Sequence, residues 1–186
     1  MSAPDYTSDM DSSRDAFSIS PGQVAPAARF RSTEGAALTT KDVVALGAGL
    51  PVLLAFFKTS CPICRMTWPY LQRLHEAYGG KAVHVVGVSQ NDAASSRAYY
   101  RENGGAGFEL LLDPEPTFVA SNAFGVESVP HIVQISKDGV IEDVFAGWSK
   151  LHMEALGARL AAGRKPFMPV IPVVPPGDPV REFSAG

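Results

Sequence analysis

The sequence predicts an α/β fold built on a mixed central sheet that is flanked by helices. Short apolar segments of strand length alternate along the chain with segments of helical periodicity, and this alternation predicts parallel strands with helices on both faces of the sheet. Later in the chain, Lys137-Asp138-Gly139 separates two further apolar segments, and an Asp-Gly turn of this kind predicts a β-hairpin. The hairpin adds antiparallel strands, so we expect the sheet to be mixed.

The first half of the chain is predicted to hold three helices and two buried strands. Continuous apolar runs indicate strands that are buried on both faces, whereas apolar residues at spacings of three and four indicate helices. In chain order these elements are a capped helix over 41–46, a strand over 50–58, a helix over 62–78, a strand over 82–89 and a helix over 92–102. Pro62 suits the first turn of its helix, and Pro69 lies inside that helix, where we expect a kink.

The second half continues the alternation and then closes it. Turn residues again separate the apolar segments, and the last segment has helical periodicity. In chain order we expect a strand over 108–112, a short helix over 116–124, hairpin strands over 132–136 and 140–146, and a final helix that starts at 149 or 150 and ends near 162.

Both ends of the chain differ in composition from its middle. Residues 1–20 are polar and without periodicity, which predicts a disordered N-terminal segment, and an extended lead-in follows from residue 21. Residues 163–186 carry six prolines and predict an extended arm, either packed on the surface or mobile. The predicted domain therefore covers residues 21–162.

Composition and charge exclude several classes of function. Apolar residues make up 46% of the chain, which is enough for a core without disulfide staples. The net charge of −3 and the lack of a basic stripe argue against nucleic-acid binding. The longest apolar run, residues 50–57, is too short to span a membrane. No secretory signal is recognisable, so we expect a cytoplasmic protein, with a periplasmic mature form as the alternative. We also expect the protein to be a monomer.

The two cysteines of the chain, Cys61 and Cys64, form a CxxC motif directly after a predicted buried strand. Cys61 lies at the predicted start of a helix, where unpaired N–H groups favour a negative charge, and the thiolate is the reactive form of cysteine. Cys64 lies one turn further along, shielded by the helix and able to form a disulfide with Cys61. We therefore expect Cys61 to attack a substrate disulfide and Cys64 to resolve the mixed disulfide.

A pair of buried or incidental cysteines is one alternative for the CxxC motif, and half of a structural zinc site is a second. The zinc site needs two more ligands, and the four histidines of the chain are scattered, at positions 75, 84, 131 and 152. We expect neither a metal nor a cofactor.

The strand-CxxC-helix segment, Pro69 and the Val129-Pro130 pair before the hairpin together resemble the thioredoxin superfamily, more narrowly its TlpA/ResA-like or AhpC/TSA-like redoxins. The resemblance covers about residues 22–162. It implies a thioredoxin-like fold with an inserted βα segment at about 92–112, because 69 positions separate Cys61 from Pro130. It also implies a cis peptide bond at Pro130, facing the CxxC motif.

The resemblance implies a substrate-binding surface as well. The backbone of Val129, next to Pro130, would pair with a bound peptide, and Pro62 and Ile63 would complete the surface and tune the redox potential. The expected partners are protein thiols or disulfides and a redox donor such as a thioredoxin-type reductant.

Three positions depart from the thioredoxin pattern. Ala55 replaces a buried acid that helps to move protons, and Ser60 replaces a tryptophan. His131 follows the proline where a threonine is common. When charged it would favour the Cys61 thiolate, but it could equally point into the sheet or to the surface.

The leading functional prediction is a thiol-disulfide oxidoreductase. The alternative is a thiol peroxidase of the AhpC/TSA type, although Lys58 and Leu54 stand where those enzymes have their threonine and proline. A non-enzymatic copper or haem-maturation role is a third possibility, but copper proteins of the Sco type use a wider CxxxC with a distal histidine. The Pro-Ile dipeptide leaves the direction of electron flow open.

Overall fold

The computed structural model describes residues 18–104, 107–163 and 168–186. The strands are β1 (Arg29–Ser32), β2 (Ala37–Thr39), β3 (Val52–Phe57), β4 (His84–Ser89), β5 (Glu109–Leu112), β6 (His131–Ile135), β7 (Ile141–Ala146), β8 (Trp148–Ser149) and β9 (Phe183–Ser184). The helices are α1 (Thr40–Leu46), α2 (Pro62–Tyr78), α3 (Ala93–Glu102), α4 (Val119–Ala123) and α5 (Lys150–Ala162).

Seven of the strands form one mixed sheet in the order β2-β1-β5-β4-β3-β6-β7. Strand β4 runs parallel to both of its neighbours, β3 and β5. Strand β6 is antiparallel to β3 and to β7, and β1 is antiparallel to β5 and to β2. The predicted α/β class with a mixed sheet is confirmed, and the Asp138-Gly139 turn joins β6 to β7 as expected.

Strand β3 is buried on both faces because helices cover both sides of the sheet. All six of its residues are buried, and alternate side chains enter different apolar clusters. Leu53, Ala55 and Phe57 face the cluster that contains residues of α2, α3 and α5. Leu54 and Phe56 face the second cluster, to which α1 and α4 contribute. This arrangement fixes the end of β3, and therefore the start of α2, at the edge of a rigid core.

Most of the sequence-predicted elements are present, with ends shifted by a few residues. Helix α2 has the predicted bounds, and α1 begins with Thr39 as its N-cap in a capping box with Asp42. The N-terminal half differs from the prediction, because the expected extended lead-in ends in the strand pair β1 and β2. These strands have four and three residues, too few to show a periodic pattern. The predicted disorder over 1–20 falls almost entirely outside the described residues.

The Pro-rich arm packs against the domain over its described part, 168–186. Val173 and Val174 are each 1% exposed and belong to the same apolar cluster as helix α2. The Tyr78 hydroxyl donates to the carbonyl oxygen of Ile171 at 2.9 Å and accepts from the Ile171 amide at 2.8 Å. The last part of the arm forms β9, which pairs with β8 in a separate two-stranded sheet. Of the two states expected for the arm, the packed one is present; the domain boundary at 162 stays a prediction.

In the part of the chain that the structure describes, no helix has both the length and the apolar character needed to cross a membrane.

The packing of the arm predicts a measurable contribution to stability. Val173→Ala should lower the free energy of unfolding by about 2 kcal/mol, because it removes buried methyl groups and leaves a cavity. Val170→Ala is the matched control, since Val170 is 54% exposed on the same arm, and it should change stability by less than about 0.5 kcal/mol. Urea denaturation measures both, and equal effects would contradict the packing of the arm.

Candidate active site

Cys61 occupies the junction between the buried strand β3 and helix α2. Its backbone is extended, and it is the N-cap of α2, with Pro62 as the first helical residue. The Cys64 amide donates a hydrogen bond to the Cys61 Sγ at 3.1 Å, as the third residue of a helix does to a capping side chain. The amide of Cys61 itself donates to the carbonyl oxygen of Lys58 at 3.2 Å. The sulfur therefore lies at the start of the helix, with the Cys64 N–H directed toward it.

A second segment reaches Cys61 from far along the chain. The Val129–Pro130 peptide bond is cis, as the family resemblance implies. The Cys61 thiol donates to the carbonyl oxygen of Val129 at 3.3 Å. Strand β6 follows this segment and lies beside β3, with His131 opposite Phe56, so the register of two core strands sets the position of Val129.

The two thiols differ in their access to solvent. Cys61 is half-buried, whereas Cys64 is 1% exposed and lies within the apolar cluster below α2. Burial raises the pKa of the Cys64 thiol, and its hydrogen bond with Cys61 adds to this effect. Cys64 is therefore protonated near neutral pH. The difference matches the roles expected of an attacking and a resolving cysteine.

Aromatic side chains enclose Cys64 on the side facing the core. Trp68 lies one helical turn beyond it and packs against Phe57, with ring centroids 4.9 Å apart. Tyr99 of helix α3 packs edge-on against Trp68 at 5.0 Å. Burial raises the pKa of Tyr99. Cys64 thus lies in a largely apolar environment.

Proton transfer to Cys64 cannot use an acid on strand β3. Ala55 is 1% exposed and its side chain faces the cluster that contains Cys64. A carboxyl group at this position would lie in that cluster, but the methyl group of Ala55 can neither give nor take a proton. The departure noted in the sequence is therefore a chemical difference at the site itself.

The residues expected to bind substrate surround the Cys61 sulfur. Pro62 is exposed, and Ile63 is half-buried against the core cluster. Val129 is half-buried, and Pro130 is buried. The structure brings these four residues to one end of α2, but their contact with a substrate stays a prediction.

His131 lies on the opposite face of the sheet from Cys64. It packs edge-on against Phe56, with ring centroids 6.3 Å apart, and Phe56 faces the second apolar cluster. Burial lowers the pKa of His131 from 6.5 to about 4, so the imidazole is uncharged near neutral pH. This placement does not favour the expected modulation of Cys61 by a charged His131, and that role stays a prediction.

Gly147 is a site residue that the sequence analysis missed. Its amide donates to the carbonyl oxygen of Pro130 at 2.7 Å, and its φ of +76° is a conformation that favours glycine. A glycine between the hairpin and the last helix was visible in the sequence, but its neighbour across space was not.

Among residues 18–104, 107–163 and 168–186, no three His, Cys, Asp or Glu side chains are grouped so that they could hold a metal ion. The two neighbouring thiols at this site are the half-buried Cys61 and the buried Cys64.

The family with which the sequence agrees is the AhpC/TSA family, whose sequence model matches residues 21–144. Among curated proteins, the thiol-disulfide oxidoreductase ResA of Geobacillus thermodenitrificans is 26% identical over 113 residues, which cover 58% of this chain and 64% of that protein. The thioredoxin-like protein YneN of Bacillus subtilis is 30% identical over 141 residues, which cover 73% of this chain and 78% of that protein. The chain spans less than two thirds of the first ResA relatives that it matches.

Solved structures show the same fold. A thiol:disulfide interchange protein from Bacteroides sp. superposes with a TM-score of 0.64 at 20% sequence identity. The superposition covers 80% of this chain and 95% of that protein. At this level of identity the likeness shows the thioredoxin-like fold, and it confirms the fold class expected from the sequence.

The buried imidazole of His131 predicts a specific loss of stability in acid. Below pH 6.5 the unfolded chain binds a proton at His131 that the folded chain does not bind, so stability falls as the pH falls from about 7 towards 4. Between pH 7 and pH 5 this costs about 2 kcal/mol. Between pH 7 and pH 5, the free energy of unfolding of His131→Gln should therefore fall by about 2 kcal/mol less than that of the unaltered protein. Urea denaturation at the two pH values measures both. An identical loss in both proteins would show that His131 is not buried in its neutral form.

Proposed function

The chain belongs to the AhpC/TSA family, within the thioredoxin superfamily, and from this premise we propose that it exchanges disulfides with other proteins through Cys61 and Cys64. Its class is that of the thioredoxin-like thiol-disulfide oxidoreductases. One observation carries the proposal: an accessible Cys61 sulfur caps a helix, and a buried Cys64 lies one turn behind it. This arrangement suits Cys61 to attack a substrate disulfide and Cys64 to release the substrate from the mixed disulfide.

The reaction proceeds through a mixed disulfide. The Cys61 thiolate attacks one sulfur of a substrate disulfide, which forms the bond between enzyme and substrate and releases the other substrate sulfur as a thiolate. Cys64 then loses its proton and attacks the Cys61 sulfur, which forms the Cys61–Cys64 disulfide and releases the second substrate thiolate. Two electrons pass from the enzyme dithiol to the substrate disulfide, and the two thiol protons end on the substrate.

The direction of net electron flow depends on the partner that restores the starting redox state of the Cys61–Cys64 pair. A dithiol of the thioredoxin type would reduce Cys61–Cys64 and make the chain a reductant of protein disulfides. The same steps in reverse would make it an oxidant of protein thiols, with an oxidised partner to restore the disulfide. The Pro62-Ile63 dipeptide contributes to the reduction potential that decides between them.

The substrate is proposed to bind across the start of α2. Its backbone would lie beside Val129, whose carbonyl oxygen is 3.3 Å from the Cys61 Sγ, and its side chains would contact Pro62 and Ile63. A protein thiol or disulfide is the substrate class that this surface suits, because backbone groups and apolar side chains recognise a peptide without reading its sequence closely.

The compartment is a separate question. Nothing in the comparisons supports the cytoplasmic address expected from the sequence. They are compatible with the periplasmic mature form that was the alternative. The same chemistry is open to the protein in either place.

Peroxidase activity is the second candidate, because the matching family model is that of the AhpC/TSA proteins. The residues near Cys61 do not favour it, since Lys58 and Leu54 occupy the positions of the threonine and proline in the peroxidase pattern. The third possibility, copper or haem-maturation binding, has in its favour only the dithiol itself.

Two serine variants separate the steps of the proposed reaction. Cys61→Ser should reduce insulin no faster than buffer, because the attacking thiolate is gone. Cys64→Ser should instead accumulate a mixed disulfide on Cys61, detectable as a shifted band on a non-reducing gel, because the resolving thiol is absent. Insulin reduction by Cys61→Ser would refute the proposal. Rapid Cys61-dependent peroxide consumption, with no mixed disulfide in Cys64→Ser, would favour the peroxidase.

A further inference from the structure

The last residues of the Pro-rich arm lie beside the dithiol site. We call residues 182–186 the arm tip. Within the tip, Ser184 pairs with Trp148 and Phe183 with Ser149 in the two-stranded sheet. The Lys150 amide donates to the carbonyl oxygen of Glu182 at 2.9 Å, which continues this pairing. The tip therefore has a defined path along the segment between β7 and α5.

The end of the arm tip reaches the backbone that accepts the Cys61 thiol. A Cβ atom built on Gly186 would lie 3.1 Å from the Val129 carbonyl oxygen and 2.8 Å from the Ser128 hydroxyl. A Cβ atom built on Gly147 would lie 2.7 Å from the Gly186 nitrogen and would also collide with the Ser184 carbonyl oxygen. The tip thus packs closely on Gly147 and on the segment that precedes Pro130. Glycine at 147 permits this approach.

The arm is anchored to the helix that carries the cysteines. The Trp148 Nε1 donates to the carbonyl oxygen of Arg181 at 2.6 Å. Tyr70 of α2 packs on Trp148, with ring centroids 4.5 Å apart, and its hydroxyl donates to Asp178 at 2.9 Å. These contacts hold the arm up to residue 181 independently of the tip. Within the tip, Phe183 is 64% exposed.

A long peptide beside Val129 would compete with the arm tip for space. An extended polypeptide that runs past Cys61 needs room along the backbone of Ser128 and Val129, and the end of the tip takes part of that room. A small disulfide, or a disulfide on a short protruding loop, needs to reach only the half-buried Cys61 sulfur. The arm tip therefore hinders an extended polypeptide more than it hinders a small or loop-borne disulfide.

We propose that the arm tip determines substrate specificity at the dithiol site, admitting small and loop-borne disulfides and obstructing extended polypeptide segments. This inference rests on the proposed disulfide exchange at Cys61. The recognised substrate class is then an exposed, compact disulfide rather than a cysteine within a long unfolded segment.

The test compares two probes that differ only in their bulk beside the sulfur. One is bis(nitrobenzoate) disulfide, and the other is a 15-residue peptide whose central cysteine carries the same nitrothiobenzoate leaving group. Both are followed by release of the coloured thiolate in the Cys64→Ser background, so that only attack by Cys61 is measured. Deletion of residues 183–186 should raise the rate constant for the peptide by about fivefold or more, and that for the small disulfide by less than about twofold.

Val170→Ala is the matched control, because it alters an exposed part of the same arm away from the tip and should change neither rate. Equal changes for both probes, or no change for the peptide, would overturn the proposal. If circular dichroism shows that the deletion does not fold, the shorter deletion of residues 185–186 keeps the pairing of β8 with β9 and removes Gly186 from beside Val129. It should give the same selective increase, and the absence of that increase would overturn the proposal. Failure of the proposed disulfide exchange can be distinguished from failure of this inference, because in that case the Cys61→Ser variant would still reduce insulin.

Discussion

The chemistry of this protein depends on one constraint, which is that helix α2 begins at Cys61. Strand β3 is buried on both faces and ends at Phe57, so the chain must turn within a few residues before the helix starts. The cysteine sulfur then takes the place that a serine or aspartate oxygen holds at other helix starts, accepting the amide of Cys64. The same bond that begins the helix places the two thiols one turn apart.

Packing in the core makes the two thiols different in their exposure to solvent. The helix surface that buries Cys64 also buries Trp68, and the aromatic rings of Phe57 and Tyr99 complete the enclosure. Burial disfavours the charged form of a thiol and therefore raises the pKa of Cys64. Ala55 supplies no acid to the cluster that contains Cys64.

The parts of the fold that follow from local pattern could be predicted from the sequence, and those that depend on distant packing could not. Helix α2 has a strong periodic signal, and the buried strand β3 is a continuous apolar run. Cys64 lies within α2, and Cys61 is its N-cap. The prediction that Val129 lies beside Cys61 depended on the family resemblance, because 68 positions separate the two residues in the chain. The pair β1 and β2, the place of β5 between β4 and β1, and the contact of the arm tip with Gly147 all arise from chain segments meeting in space, which no local pattern records.

A redox titration of the intact protein against glutathione buffers tests the central claim most directly. If Cys61 and Cys64 act as one dithiol, mass spectrometry should show both thiols lost together in a single two-electron transition, with an intramolecular disulfide as the product. The midpoint would also fix the direction of electron flow with a given partner. Separate oxidation of the two cysteines, with glutathione retained on Cys61 and Cys64 still free at every potential, would contradict the account.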